Sequence, residues 1–420
     1  MNRITEYQAC FEAMRPRAAG RALALASVLL LTLASTPPAR AQTYTLLYSF
    51  QCQPDGSNPQ STLLVDPSGN LYGTTSSGGT YVSGTLFELS PEWVETILHS
   101  FAGGAEDGAQ PEHTALLRDG AGNIYGVTPF GGNHDSGVVY KLSPTAAETI
   151  LHQFAPGSSG TEPFGGLLRD QTGNLYGTTY GGGDLSCGGG GGCGTVFELT
   201  SPSGQEKVLF SFPPGPNGPG LYGQLPEAGL VRDSAGNLYG TTTTGGNPQS
   251  RGTVFELSAS GQETVLHEFT GGPDGSFPNA PLVRDSAGNM YGATPFGGGR
   301  NYGTVFKIAS GGQYSVLHNF TTRQGGVYPA GPVAEDAAGD IFGVTENGGT
   351  GLCQGGFANG CGAIFKLSPS GSEQVLYNFL GEPDGQYPLA GVTRDSHGNL
   401  YGTTSEGGAY GCGTVWKFTP

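Results

Sequence analysis

The sequence predicts an all-β fold: a seven-bladed β-propeller with four-stranded blades, its ring closed by the N-terminal strand completing the last blade. Three observations lead there. One repeat of roughly fifty residues recurs seven times. Each copy divides into four short runs rich in β-branched and aromatic residues, separated by Gly, Asp, Asn or Ser. The repeat region opens on a run that matches the fourth piece of the repeat and closes on one that matches the third.

The frame of the repeat is Asp-x-x-Gly-Asn followed by an apolar residue, an aromatic and Gly. It starts at Asp66, Asp119, Asp170, Asp233, Asp285, Asp336 and Asp395, with Asp340 in place of Asn in the sixth copy. The aromatic–Gly pairs are Tyr72-Gly73, Tyr125-Gly126, Tyr176-Gly177, Tyr239-Gly240, Tyr291-Gly292, Phe342-Gly343 and Tyr401-Gly402. Their glycines lie 53, 51, 63, 52, 51 and 59 residues apart, and the two long intervals each carry a cysteine pair inside an insertion. The Asp is expected to accept hydrogen bonds from the following backbone N–H groups, and the Gly to take the left-handed position that closes the hairpin. The Gly after the aromatic is expected to let the neighbouring blade approach closely.

The fourth copy illustrates the four strands: Gly229–Arg232, Asn237–Thr242, Gly252–Leu257 and Thr264–Phe269. One such sheet cannot bury both of its faces, whereas seven packed around an axis can, leaving no long exposed edge. A β-solenoid is the architectural alternative, but its repeats are usually shorter. The opening run Tyr44–Phe50 then supplies the fourth strand that the last copy lacks after Gly413–Phe418.

Residues 1–41 read as a secretory signal peptide and 42–420 as the propeller. Arg15, Arg17 and Arg21 precede an apolar run, Ala22–Ser35, and Ala39-Arg40-Ala41 resembles a cleavage site. The apolar run is shorter than the roughly 20 residues a membrane span needs, so no span is expected once the signal is removed. Residues 42–420 hold 13 basic and 32 acidic side chains. That balance repels phosphate backbones and argues against nucleic acid as a partner. The expected location is secreted, periplasmic or cell-surface, and the expected state a monomer.

Six cysteines remain after the signal, an even number that suits disulfides in an exported chain. Cys52 follows the opening strand and Cys412 precedes the closing one. In an antiparallel pair these ends are adjacent, so a Cys52–Cys412 disulfide is predicted across the ring closure. Cys187 and Cys193 share one insertion and Cys353 and Cys361 the other, so local pairing is predicted. The two insertions lie on blades too far apart to form a shared zinc site, and no metal site is expected.

The string Gly-Asn-Leu-Tyr-Gly-Thr-Thr, a Gly-Gly pair, then Gly-Thr-Val-Phe-Glu/Lys-Leu resembles the GloVer tandem repeat of bacterial extracellular proteins over residues 44–420. The layout is also similar to kelch and related propeller repeats. The resemblance implies an exported repeat protein and supplies no catalytic residues.

Two loop sets are expected on one face: those joining the second and third strands, and those joining successive blades. The first set offers Tyr81, Phe130, Tyr180, Phe296, Tyr302 and Tyr410, rings that either stack on sugars or fill gaps between blades. The second repeats Asp-Gly-x-x-Pro with Asp55, Asp107, Asp274 and Asp384, which read as turn residues or, less directly, as oxygen ligands for calcium. His99, His152, His267 and His318 recur in the fourth strand, where packing or a local hydrogen bond is expected. No cofactor other than calcium suggests itself, and catalytic residues are not identifiable. The expected function is a non-enzymatic extracellular binding module for a polysaccharide or protein. The alternative is a glycoside hydrolase or polysaccharide lyase using acidic residues at the propeller mouth.

Overall fold

A computed structural model describes residues 42–187, 190–214, 223–353 and 359–420. The proposed signal peptide lies outside the described residues. Seven antiparallel sheets with four principal strands each make up a seven-bladed β-propeller. In blade 2 the strands are Leu117–Arg118, Ile124–Thr128, Val138–Leu142 and Glu148–Gln153. In blade 7 the fourth place is taken by Thr43–Ser49, which pairs antiparallel with Thr414–Thr419 in the register Tyr44↔Phe418 and Ser49↔Thr414. Ring closure by the opening strand is therefore as the sequence predicts, and Cys52–Cys412 joins it with Cα atoms 5.3 Å apart. Cys187–Cys193 and Cys353–Cys361 pair locally.

The repeated residues follow from the joints between blades. Every fourth strand runs into a fully buried Phe: Phe50, Phe101, Phe154, Phe212, Phe269, Phe320 or Phe379. Each packs edge-on against the third-strand aromatic of the next blade, from Phe50 on Phe87 at 5.1 Å to Phe379 on Trp416 at 5.8 Å between centroids. At about 0.5–1.5 kcal/mol per pair beyond simple burial, seven such contacts add about 4–10 kcal/mol to the blade-to-blade adhesion.

The glycine after the second-strand aromatic serves a different contact from the one expected. A Cβ on Gly73 would lie 2.7 Å from Cζ of Phe87, and one on Gly402 2.3 Å from the Trp416 ring. These partners face each other across the ladder of the same blade, Gly73↔Phe87 and Gly402↔Trp416. The close approach is thus the blade's own third-strand ring lying over a bare backbone, with the neighbouring blade packed on the ring's other side.

The Asp turns form as predicted. Asp66 Oδ1 accepts from the N–H of Ser68 at 2.8 Å and of Asn70 at 3.0 Å, while Gly69 sits at φ 89°. The Thr of Gly-Thr-Thr meets the Thr of Gly-Thr-Val through a buried hydroxyl pair, such as Thr75 with Thr85 at 2.8 Å. The Gly of Asp-Gly rests on that pair, since a Cβ on Gly56 would stand 2.5 Å from Thr75 Oγ1.

Outside blade 6, where Val327–Glu335 runs through as one strand with a register shift, the innermost strands are interrupted, and this shapes the axis. In blade 1, Ser57–Pro59 pairs with the top of the second strand and Leu64–Val65 with its base. The residues between leave the ladder and face the central channel. Lower down, small residues bring these segments together: a Cβ on Gly165 would meet the Ala228 backbone at 2.6 Å. The channel consequently narrows away from its mouth.

Candidate functional site at the channel mouth

The top of the channel is built by the residues flanking the Pro of the inter-blade motif. The residue before that Pro is left-handed in all seven blades, although none is glycine: Asn58, Gln110, Glu162, Leu225, Phe277, Tyr328 and Tyr387 have φ between 52° and 61°. Such a conformation costs about 1–2 kcal/mol for an ordinary L-residue. One hydrogen bond to the preceding blade holds each in place, for example Glu162 N–H to Ser136 O at 2.9 Å and Leu225 N–H to Cys193 O at 2.9 Å. Strained positions held by their surroundings in this way commonly accompany function.

A cavity of about 360 Å³ opens at the mouth, lined by Glu112, His113, Glu162, Phe164, Tyr180, Glu227 and Asn279. A narrower space along the axis shares His113 and Asn279 and adds Gln60, Thr62, Tyr328 and Glu346. Burial alone raises the carboxyl pKa values of Glu112, Glu162 and Glu346, and it pushes Glu227 up to about 7. His113 opens onto the channel yet is ringed by protein, and this burial lowers its pKa and keeps it neutral. Tyr180 is raised by burial and then by the charges of Glu227 and Glu162. Phe164 meets Tyr180 edge-on at 5.9 Å and Phe130 at 6.5 Å, giving an aromatic wall beside the acids.

Of the aromatics singled out in the sequence, Tyr180 lines this cavity and Phe130 supports it through Phe164. Phe296 and Tyr302 pack on Tyr328 at 5.3 and 6.3 Å, filling the joint between blades 5 and 6. Tyr81 and Tyr410 stand on outer loop tips, each 59% exposed, and line neither space. The four aspartates turn into the blade joints. Asp55 accepts from Tyr48 OH at 2.7 Å and Gln51 N–H at 3.0 Å, and Asp384 from Tyr377 OH and Leu380 N–H, both at 2.9 Å. Asp107 accepts from Ala102 N–H at 2.7 Å and contacts His99 Nε2 at 3.2 Å; Asp274 lies 3.3 Å from His267 Nε2. These carboxylates are occupied as turn residues. The fourth-strand histidines likewise serve the joints: His152 faces Glu206 at 3.5 Å and His318 faces Glu373 at 3.5 Å.

Sequence reasoning missed Glu112, His113, Glu162, Phe164, Glu227, Asn279 and Glu346. The available signal was variation among the seven copies: the residue after the Pro reads Gln60, Glu112, Phe164, Glu227, Asn279, Ala330 and Leu389 around an otherwise constant frame.

Fold and mouth together define a β-propeller whose variable loops enclose a cavity at one end of the axis. The chain belongs to the Gloeobacter/Verrucomicrobia repeat family, whose model matches residues 32–189 and 185–416. Among curated proteins no sequence match is found. Solved structures align with the chain. One is the extracellular domain of a B. thetaiotaomicron protein described as a one-component system, at TM-score 0.53 and 10% identity, covering 90% of this chain and 40% of that one. A gluconolactonase from Xanthomonas campestris aligns at TM-score 0.43 and 14% identity over 72% of this chain and 86% of its own. A chain of the nidogen/laminin complex aligns at 0.43 and 12% over 74% and 94%. Among the described residues no helix is long and apolar enough to cross a membrane.

Proposed function

We propose that this protein is an exported binding module that seats an extracellular polysaccharide at the mouth of its central channel. The observation that carries the reading is a single cavity combining an aromatic wall, Phe164 and Tyr180, with hydrogen-bonding groups on Glu112, Glu162, Glu227 and Asn279. Rings offer a flat apolar face to a sugar, while carboxylates and an amide fix its hydroxyls. Three disulfides and an apolar leader sequence support export.

The test is retention of the purified disulfide-bonded protein on a panel of immobilised polysaccharides, with soluble sugar products measured in the same wells. Retention on one glycan, weakened about tenfold or more by Phe164→Ala and unchanged by Tyr81→Ala, is expected. Retention that Phe164→Ala leaves intact refutes this seat.

One observation favours a catalytic reading. A carboxyl with a pKa of about 7 inside a cavity, as at Glu227, is suited to donate a proton at neutral pH while an ionised neighbour serves as base or nucleophile. Release of oligosaccharides, abolished by Glu227→Gln, would establish that reading in place of simple binding.

A further inference from the structure

We infer that the mouth cavity recognises a protonated amine carried on a sugar ring, so that the ligand is an amino sugar polymer. This rests on the cavity being the ligand seat. Glu112, Glu162 and Glu227 line the cavity and Glu346 the adjoining space, and no described residue donates a hydrogen bond or forms an ion pair to the side-chain carboxylate of any of the four. No Lys or Arg lines either space. Elsewhere the turn aspartates accept from backbone N–H groups and Lys366 lies 2.6 Å from Asp340, while blade-joint glutamates such as Glu95 and Glu263 each keep one buried oxygen without a hydrogen-bond partner. The mouth glutamates differ from those of the blade joints in facing an open cavity, where a cation that enters with the ligand can reach them and relieve their charge.

The spacing decides what sort of cation. Among the described residues, the only group of three or more metal-ligating side chains whose donor atoms lie within 4.8 Å of one another is His99, Asp107 and Glu148, in a blade joint. The mouth carboxylates come from different blades and stand further apart, so three of them do not close on one small ion. A broader ligand, with its charge on a bulky frame, reaches several at once. Phe164 and Tyr180 add ring faces that favour both an ammonium and the apolar side of a pyranose. Neutral His113 and the Asn279 amide supply donors and acceptors for hydroxyls. A strongly acidic surface steers such a cation inward.

N-acetylation removes the charge without altering the ring, and it isolates the ammonium term. The experiment titrates the disulfide-bonded protein by calorimetry with a glucosamine tetramer, its fully N-acetylated counterpart and spermidine. The glucosamine tetramer is expected to bind about tenfold or more tighter than the acetylated one, and to weaken as salt is raised. Glu227→Gln and Glu162→Gln, each checked for an unchanged melting profile, are expected to lose about tenfold for the amine form only; Tyr81→Ala is expected to lose nothing. Equal affinity for the two tetramers would overturn the ammonium and leave the polysaccharide reading standing. Binding of spermidine alone would overturn the sugar frame together with that reading. No heat with any of the three would overturn this inference.

Discussion

Replacing Cys52 and Cys412 together by serine tests how the ring is held shut. The disulfide spans 360 residues of sequence, so its loss frees nearly the whole unfolded chain. Loop-closure entropy then gives about 6 kcal/mol as a ceiling, and a compact denatured state reduces it. The local pairs span only 6 and 8 residues, for which the same relation gives about 2.5 kcal/mol each. At about 2.1 cal/mol/K of unfolding entropy per residue, a chain of roughly 380 residues loses about 1.2 °C in Tm per kcal/mol. The closure variant is therefore expected to melt about 4–7 °C below wild type, against about 3 °C for Cys187→Ser/Cys193→Ser. The comparison is a hard one for the idea, because Cys193 is fully buried whereas Cys52 and Cys412 are half-buried, so packing losses inflate the local variant. Scanning calorimetry without reductant measures both. A closure variant that melts within 1 °C of wild type, or above the local variant, would refute the closure mechanism.

Other outcomes follow from named contacts. Gly73→Ala places a methyl 2.7 Å from the Phe87 ring and is expected to cost about 1–3 kcal/mol in denaturant titrations, because the ring is locked by Phe50 of the preceding blade. Asp170→Ala removes bonds from Thr172 and Asn174 N–H, both at 2.9 Å, and is expected to cost about 1–2 kcal/mol by the same assay. In the wild type, Asp119, Asp170, Asp233, Asp285 and Asp395 have lowered pKa values, although burial opposes the hydrogen bonds that lower them. Their stabilisation is present above the unfolded carboxyl range and lost as pH falls through the folded values, so acid melts below pH ~4 are expected to show proton uptake. Glu95, Glu148, Glu227 and Glu263 behave oppositely, being raised to about 7, each chiefly by burial. For them the folded form holds the proton more tightly, so stability is expected to decline as pH rises from about 4.5 to 7, and Glu227→Gln to flatten part of that slope. A Tm that rises over that window would contradict the assignment.

Much of the fold was legible because packing in a ring is the same seven times. The Phe that ends each fourth strand, the third-strand aromatic and the Asp turn recur because each meets identical surroundings. Cys52 and Cys412 could be paired because antiparallel geometry fixes which strand ends are adjacent. The glycine of the aromatic–Gly pair was placed in the right strand but given the wrong neighbour. Sequence periodicity reveals that a Cβ is missing, and only the cross-strand register Gly73↔Phe87 reveals what occupies the space. The site was less legible for a related reason. Repetition drew notice to the Asp-Gly aspartates, yet a residue repeated around the ring serves the joint, as Asp55 and Asp384 do with Tyr48 and Tyr377. Aromatics beside Gly pairs lie in loops of different depth, so Tyr180 reaches the cavity while Tyr81 and Tyr410 stay on the rim.

The asymmetry of the mouth bears most directly on function. A ring stabilised only by packing gives every blade the same environment, and its frame residues are accordingly constant. The positions flanking the inter-blade Pro share that sevenfold backbone, down to the left-handed φ, yet their side chains diverge. Blades 2, 3 and 4 bring Glu112, Glu162 and Glu227 to one cavity, while blades 6 and 7 bring Tyr328, Ala330 and Leu389, with the single acid Glu346, to the adjoining space. Neither the fold nor the joints require this division. With its carboxyl pushed up to about 7 by burial, Glu227 is moreover expected to lower stability at neutral pH. On the proposal that a ligand seats in this cavity, the acids of blades 2 to 4 beside the Phe164–Tyr180 wall would meet its charged side and its apolar face together.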